Sequence, residues 1–136
     1  MFEVNRIYHR RKELHDLYGG NRQSGIASCS GHPYVFLFTA PAGEEYGYKD
    51  GWVSDSEYVY AGEGQYGDMR FVRGNRAIRD HIANGKQLHM FEQDKKGEYK
   101  YLGKFEYQSF EYQRGKDARG HDRQIIKFHL IPRKDE

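Results

Sequence analysis

The chain is organised around Tyr46 to Arg79, YGYKDGWVSDSEYVYAGEGQYGDMRFVRGNRAIR. Five tyrosines, the only tryptophan and six of the sixteen glycines are interleaved there, with Asp50 among the first of them, and four arginines follow. Aromatic rings stack on a flat ligand, glycines let the backbone approach it, and a carboxylate accepts hydrogen bonds from an amino group. Arginines suit a polyanion. The stretch therefore indicates a pocket for one nucleotide of a nucleic acid.

Length and composition restrict the possible fold classes and cell compartments. The 136 residues predict a single domain, 1–136, and twelve tyrosines and eight phenylalanines beside only three prolines predict strands with tight turns. A formal charge of +2 is too small to indicate nucleic acid by itself. The single cysteine, Cys29, excludes an internal disulfide and a thiolate zinc cluster and fits a reducing cytosol. The longest apolar run, Tyr34 to Phe38, is too short to span a bilayer, so no membrane partner is expected.

Local patterns predict two helices and about seven short strands. Asn5 is predicted to cap a helix from Arg6 to about Tyr18, whose basic residues are interpreted as a solvated face. The buried stripe of this helix is predicted to be Ile7, Leu14, Leu17 and Tyr18. A second helix is predicted over Arg76 to Ala83, with Ile78 and Ile82 facing inward. The clearest predicted strands are Tyr34 to Thr39, Glu57 to Ala61, Gln87 to Glu92, Glu98 to Gln108 and Arg123 to Ile131.

These elements favour an α+β fold, a small barrel or a strongly curved sheet. The last strand is predicted to turn Ile126, Phe128 and Leu130 inward, and Pro132 to Glu136 is interpreted as a linker stub.

Four segments, taken in order, resemble one known family. They are Arg22-Gln23-Ser24-Gly25-Ile26, Tyr46-Gly47-Tyr48-Lys49-Asp50-Gly51-Trp52, Tyr60-Ala61-Gly62-Glu63-Gly64-Gln65 and Gly74-Asn75-Arg76-Ala77-Ile78. From Tyr8 to about Leu130 the chain resembles the SRA/YDG domains of the PUA-like superfamily, in particular the SRA-like modules of bacterial McrA-type, modification-dependent HNH endonucleases. The resemblance implies an incomplete β-barrel that flips a modified cytosine out of duplex DNA.

The chain also departs from that family. Ala61 stands where eukaryotic members have threonine. The long finger that fills the vacated duplex position in those members is shortened here to roughly Tyr66 to Arg73. Recognition of the opposite strand, and of hemimethylation, is therefore not carried over.

A base pocket is assigned to Tyr46, Gly47, Tyr48, Asp50, Trp52, Tyr60 and Gly62. Tyr60 is expected to stack on one face of the extruded base, with Tyr48 or Tyr46 on the other. Asp50 is expected to accept from the cytosine N4 amino group, which thymine lacks, and Trp52 to line the wall beside the 5-methyl group. Backbone groups around Gly47 and Gly62 are expected to meet the rest of the base edge. The alternatives are an ordinary core tyrosine, an Asp-Gly turn and a plain hydrophobic anchor.

DNA backbone and groove contacts are assigned to Arg22, Gln23, Ser24, Gln65, Arg70, Arg73, Asn75, Arg76 and Arg79. The arginines are expected to bind phosphates, and Gln23 or Gln65 to probe the gap that the extruded base leaves. The alternative for Arg70 to Arg79 is a solvated face.

The leading functional hypothesis is a module that binds duplex DNA carrying a modified cytosine, acting in the bacterial cytoplasm at the nucleoid. A second hypothesis is a PUA-like RNA-binding domain whose rings stack on unpaired bases. A third, a self-sufficient enzyme, finds no support in seven scattered histidines, so no catalytic residue, metal or cofactor is assigned. Nuclease activity would come from a fused or associated HNH domain. The sequence leaves open which cytosine modification is recognised.

Overall fold

The computed structural model describes residues 2–40 and 50–133. The chain begins with strand β1 (Ile7–His9) and a π-helix (Arg10–His15) that runs into a single helical turn, α1 (Asp16–Tyr18). Then follow β2 (Ile26–Ser28), β3 (Tyr34–Thr39), β4 (Gly51–Ser54), β5 (Glu57–Ala61), α2 (Arg73–Arg79), β6 (Gln87–Lys95), β7 (Glu98–Lys116) and β8 (Asp122–Arg133).

One sheet contains all eight described strands. Their order is β2-β3-β6-β7-β8-β5-β4, and β1 pairs with the beginning of β7. The pairing of β3 with β6 is parallel, and every other pairing among these strands is antiparallel. The sheet curls into a small, open α+β barrel, which confirms the fold class predicted from the sequence. None of the helices in the described ranges is long and apolar enough to cross a membrane.

The sheet carries a hydrophobic cluster on each face. The strand β3 shows this by alternation, because Val35 and Leu37 belong to one cluster and Phe36 and Phe38 to the other. The first cluster also takes in Ile78 from α2, and the second is covered by the N-terminal residues around Leu14. A strand was predicted for Tyr34 to Thr39, and this prediction is confirmed.

The predicted N-terminal helix is wrong in its first half. Ile7–His9 pair with β7 as a strand, and Asn5 has a positive φ of 73° while its N–H donates to the carbonyl of Tyr101. Leu17, assigned to the buried stripe, is 62% exposed. Backbone pairing with a long neighbouring strand has therefore overridden the local helical pattern.

Other boundaries shift in the same way, through long-range pairing. The helix α2 begins and ends earlier than predicted, and Ile82 lies beyond it and is exposed. The strand β7 continues eight residues past Gln108 because β8 pairs with it as far as Lys116. Residues Pro132 and Arg133, assigned to a linker stub, belong to β8. The inward orientation predicted for Ile126, Phe128 and Leu130 is confirmed.

Arg10 is buried and organises the loop that precedes β2. Its Nη2 donates to the carbonyls of Asn21 and Ser24 at 3.1 and 2.6 Å, and its Nε donates to His15 Nε2 at 2.8 Å. The guanidinium lies 3.7 Å from the ring centroid of Phe38. Desolvation lowers the pKa of Arg10. The interpretation of this residue as part of a solvated face is therefore wrong.

Replacing Arg10 tests this anchoring role. Arg10→Met keeps most of the apolar stem and leaves two carbonyls without their buried donor, so we expect a loss of about 2 kcal/mol or more of unfolding free energy. Arg11→Met is the matched control, because Arg11 is exposed and should change stability by less than about 0.5 kcal/mol. Urea denaturation of both variants measures the difference, and equal stability of the two would contradict the anchoring role.

Candidate base pocket and DNA groove

Among the described strands, β3 and β5 do not pair with each other, and the hydroxyl of Tyr60 bridges this seam of the barrel. Tyr60 lies on β5 and is 3% exposed. Its hydroxyl donates toward the carbonyls of Gly25, 3.0 Å away, and Phe38, 2.9 Å away, on the other side of the seam. Burial is the main reason that the pKa of this phenol lies well above its ordinary value, which keeps the hydroxyl a donor.

The carboxylate of Asp50 makes a second bridge across the same seam. Asp50 Oδ2 accepts from the Thr39 hydroxyl and Oδ1 accepts from the Ala61 backbone N–H, both at 2.7 Å. Desolvation raises the pKa of Asp50, and the two hydrogen bonds oppose that shift. Each oxygen keeps a further lone pair for another donor. Asp50 is therefore a fixed acceptor.

A cavity of about 200 Å³ opens at this seam. Its walls include Thr39, Asp50 and residues 60–63. That volume is several times the ~30 Å³ that one water molecule occupies in the liquid. It has room for a single-ring base.

A groove of about 1430 Å³ adjoins the cavity. The two share Gly25, Ile26 and Glu63 in their walls. Three segments line the groove: the loop before β2, residues 63–70, and the beginning of α2. These segments include parts of three of the four on which the sequence resemblance depends. The fold places them around one groove although they are far apart in the sequence.

Residues 63–70, here called the strap, are fixed to α2 by one buried amide. Asn75 is 1% exposed, and its Nδ2 donates to the carbonyls of Glu63 and Arg70, each at 2.9 Å. Its Oδ1 accepts from the N–H of Glu63 at 2.8 Å. A Cβ at Gly62 would lie 2.8 Å from the same Oδ1, so glycine is required for this close approach. Asn75 was assigned to DNA contact, and this is corrected, because its amide is buried and used within the protein.

The other side of the strap is held by β8 and by the turn before it. Arg123 is 2% exposed and donates to the carbonyls of Gly64 and Gly67 at 2.7 and 3.0 Å. Asp117 accepts from the Gly67 N–H at 3.1 Å. With these contacts the strap holds the side chains of Gln65 and Tyr66 exposed at the groove on a fixed backbone.

The predicted pocket residues have different outcomes. Tyr60 lines the cavity and is also part of the hydrophobic core, and its stacking on a base stays a prediction. Trp52 does not line the cavity; it is half exposed and packs against Tyr58 and Phe105. Gly62 lines the cavity, but its N–H donates to the carbonyl of Ile126, so it is not available to a base. Tyr46, Gly47 and Tyr48 lie outside the described residues.

The predicted arginine contacts divide into two groups. Arg70, Arg73 and Arg76 line the groove and have no carboxylate within ion-pair distance among residues 2–40 and 50–133. Arg22 is paired with Asp16 at 2.9 Å, and Arg79 with Asp80 at 2.8 Å, and neither lines the groove. Gln23, Ser24 and Gln65 line it as well.

Several residues of the site were not predicted from the sequence. Thr39 orients Asp50, and Glu63 lines the cavity while its carboxylate accepts from the N–H of Gly74 at 3.1 Å. Arg123 was visible only as the first residue of a predicted strand, because nothing local shows that its partners lie more than fifty residues earlier. No cluster of three or more side chains suited to a metal ion occurs in the described part of the chain.

A match to a known protein family shows to which family the chain belongs. The sequence profile described as "ScoMcrA-like, SRA domain" matches residues 4–135. The chain belongs to this family. The cavity at the seam and the adjoining groove therefore belong to an SRA domain. The comparison with curated proteins gave no match.

Two solved structures show the extent of the likeness. The sulfur-binding and SRA domains of ScoMcrA, complexed with phosphorothioated DNA, superpose with a TM-score of 0.78 at 20% identity, covering 99% of this chain and 41% of that one. The SRA domain of SUVH5 complexed with methylated CHH DNA gives 0.69 at 21% identity, covering 98% and 90%. The chain therefore corresponds to less than half of the ScoMcrA chain and to nearly all of the SUVH5 domain.

A substitution of Tyr60 tests whether its hydroxyl holds the two sides of the seam together. Tyr60→Phe keeps the ring in the core and removes the hydroxyl from two carbonyls, so we expect a loss of about 1–2 kcal/mol of unfolding free energy. Tyr112→Phe, at a half-exposed tyrosine on β7, is the control and should be neutral. Denaturation curves with equal midpoints for the two variants would show that the hydroxyl does not hold the seam.

Proposed function

We propose that this SRA domain binds duplex DNA and holds one modified cytosine, extruded from the helix, in the cavity at the seam. The observation that carries the proposal is the position of the Asp50 carboxylate in a single-base cavity that adjoins an arginine-lined groove. A base within a duplex is covered by its neighbours, so inspection of its 5-substituent requires extrusion.

Asp50 supplies the selectivity for cytosine. Its free lone pairs accept from the N4 amino group, whereas thymine would place a carbonyl oxygen against the carboxylate. Because Thr39 and Ala61 already hold both oxygens, the acceptor does not have to be ordered when the base enters.

The groove supplies the affinity for the backbone. Arg70, Arg73 and Arg76 bind phosphates, which positions the duplex and carries no sequence information. Extrusion of a base costs a few kcal/mol, and contacts between the extruded base and the cavity offset this only when the base fits. Selection therefore arises in the cavity, and general affinity in the groove.

Solved structures of similar domains support modified DNA as the ligand. SUVH5 has been solved with methylated and with fully hydroxymethylated CG DNA, and ScoMcrA with phosphorothioated DNA. We propose a modified cytosine, 5-methyl or 5-hydroxymethyl, as the ligand of this chain. We further propose that the chain is not itself catalytic and serves as the specificity domain of a modification-dependent restriction system, with a fused or associated HNH nuclease domain, in the bacterial cytoplasm at the nucleoid.

Binding titrations test the proposal. One duplex is prepared with cytosine, 5-methylcytosine, 5-hydroxymethylcytosine or glucosylated cytosine at a single position, at a stated salt concentration, with a structured RNA as comparator. We expect at least one modified duplex to bind more tightly than the unmodified duplex and than the RNA. Equal affinity for all duplexes, or preference for the RNA, would overturn the proposal.

The variant Asp50→Asn tests the pocket. It has nearly the same shape, but its amide cannot accept at both positions, so we expect discrimination between modified and unmodified duplex to fall by about 1–3 kcal/mol. In the natural protein, discrimination should also fall with decreasing pH at a higher pH than an ordinary aspartate would give, because burial raises the pKa of Asp50 and the protonated acid loses acceptor capacity. The variant should lack this pH dependence. Unchanged discrimination in a folded Asp50→Asn protein would remove Asp50 from the site.

Arg76 and Arg79 form a matched pair on α2. Arg76→Ala should weaken modified and unmodified duplexes about equally and reduce the slope of log affinity against log salt by about one unit. Arg79→Ala removes the same charge from the same helix, but this arginine is paired with Asp80 outside the groove, so a smaller effect is expected. Loss on the modified duplex alone would mean that Arg76 reads the base.

A further inference from the structure

The turn between β7 and β8, residues 117–121, packs against the strap and was not predicted to contact DNA. The N–H of Ala118 donates to the carbonyl of Gln65 at 2.8 Å, and the Gly67 N–H donates to Asp117 Oδ2 at 3.1 Å. The turn and the strap are thus joined by one backbone–backbone hydrogen bond and by one hydrogen bond from the strap backbone to the Asp117 side chain.

The carboxylate of Asp117 makes this turn rigid. Asp117 is 4% exposed, and its Oδ1 accepts from the N–H groups of Arg119 and His121 at 2.9 and 3.0 Å. Since the other oxygen binds the strap, one carboxylate fixes the position of Arg119 relative to the groove.

Arg119 lies over the exposed ring of Tyr66. Its guanidinium carbon is 4.6 Å from the ring centroid, and Tyr66 lines the groove while remaining 58% exposed. No described carboxylate lies within ion-pair distance of Arg119, in contrast to Lys116 on the same hairpin, whose Nζ is 2.6 Å from Asp122 Oδ1.

We propose that Arg119, held on Tyr66, binds a phosphate of the duplex, so that the β7–β8 turn extends the DNA interface beyond the strap. The inference rests on the proposed function of the groove. A cation–π contact with the ring uses none of the hydrogen-bond donors of the guanidinium, so its N–H groups remain able to bind a ligand. These donors fit phosphate oxygens in geometry and in charge. Tyr66 is a positioning residue, because it acts through the arginine.

The salt dependence of DNA binding separates this role from a structural one. Arg119→Ala should weaken modified and unmodified duplexes about equally, and it should reduce the slope of log affinity against log salt by about one unit. Lys116→Ala is the matched control, because it removes one positive charge from the same hairpin but from a residue engaged by Asp122. We expect the control to change the slope by less than half as much.

The role of Tyr66 is tested with Tyr66→Leu and the double variant. Removing the ring should reduce affinity less than Arg119→Ala does, and in the Arg119→Ala background it should cause no further loss on either duplex. Independent, additive losses would show that Tyr66 contacts DNA by itself, and this would overturn its positioning role.

The outcomes distinguish the inference from the proposed function. If the natural protein binds none of the duplexes, both fail. If it selects the modified duplex and Arg119→Ala leaves the slope unchanged, or if Lys116→Ala changes the slope equally, only the phosphate contact of Arg119 fails. Thermal unfolding of each variant is compared with the natural protein, and Arg119→Lys, which keeps the charge, should restore most of the slope.

Discussion

The site depends on two hydrogen-bonded bridges across the unpaired seam of the barrel. The hydroxyl of Tyr60 and the carboxylate of Asp50 join the ends of β3 and β5, which share no backbone ladder within residues 2–40 and 50–133. A fully paired sheet would leave no opening at this place. The cavity therefore exists because side chains replace strand pairing there, and the residue proposed to select the base is one of those that hold the barrel together.

This double role has consequences for pH. Burial raises the pKa of Asp50, so the folded protein binds its proton more tightly than the unfolded chain does. By linkage, the contribution of this group to stability decreases as pH rises from its unfolded pKa to its raised folded pKa. Recognition of an amino group instead favours higher pH, because it needs the ionised carboxylate of Asp50 as the acceptor. Base recognition thus uses a carboxylate that is held ionised at some expense of stability.

The groove is preorganised by buried polar groups rather than by its own surface residues. Asn75, Arg123 and Asp117 each bind two or more backbone groups of the strap or of its neighbours, and Arg10 does the same for the loop before β2. Loops fixed in this way lose little conformational freedom when a ligand binds, so more of the contact energy appears as affinity.

The sequence predicted the fold class, parts of both helical segments, the strand β3 and most of the segments that line the groove, because these depend on local composition and on short motifs. It did not predict β1, the full length of β7 or the burial of Arg10 and Arg123, because each of these depends on partners far along the chain. Local spacing also could not show that the amide of Asn75 points into the protein, or that Trp52 packs away from the cavity. The positive charge of these residues could not show that Arg76 lines the groove whereas Arg79 forms an ion pair with Asp80.

Extrusion of the base is the central claim, and the fluorescence of 2-aminopurine tests it most directly. The probe is placed beside the modified cytosine, where stacking on its neighbour quenches its emission. We predict that saturating protein increases the emission of the modified duplex strongly and that of the matched unmodified duplex much less, because only the fitted base remains in the cavity. Selective, saturated binding without any increase in emission would show that the base stays in the stack, and it would contradict the account.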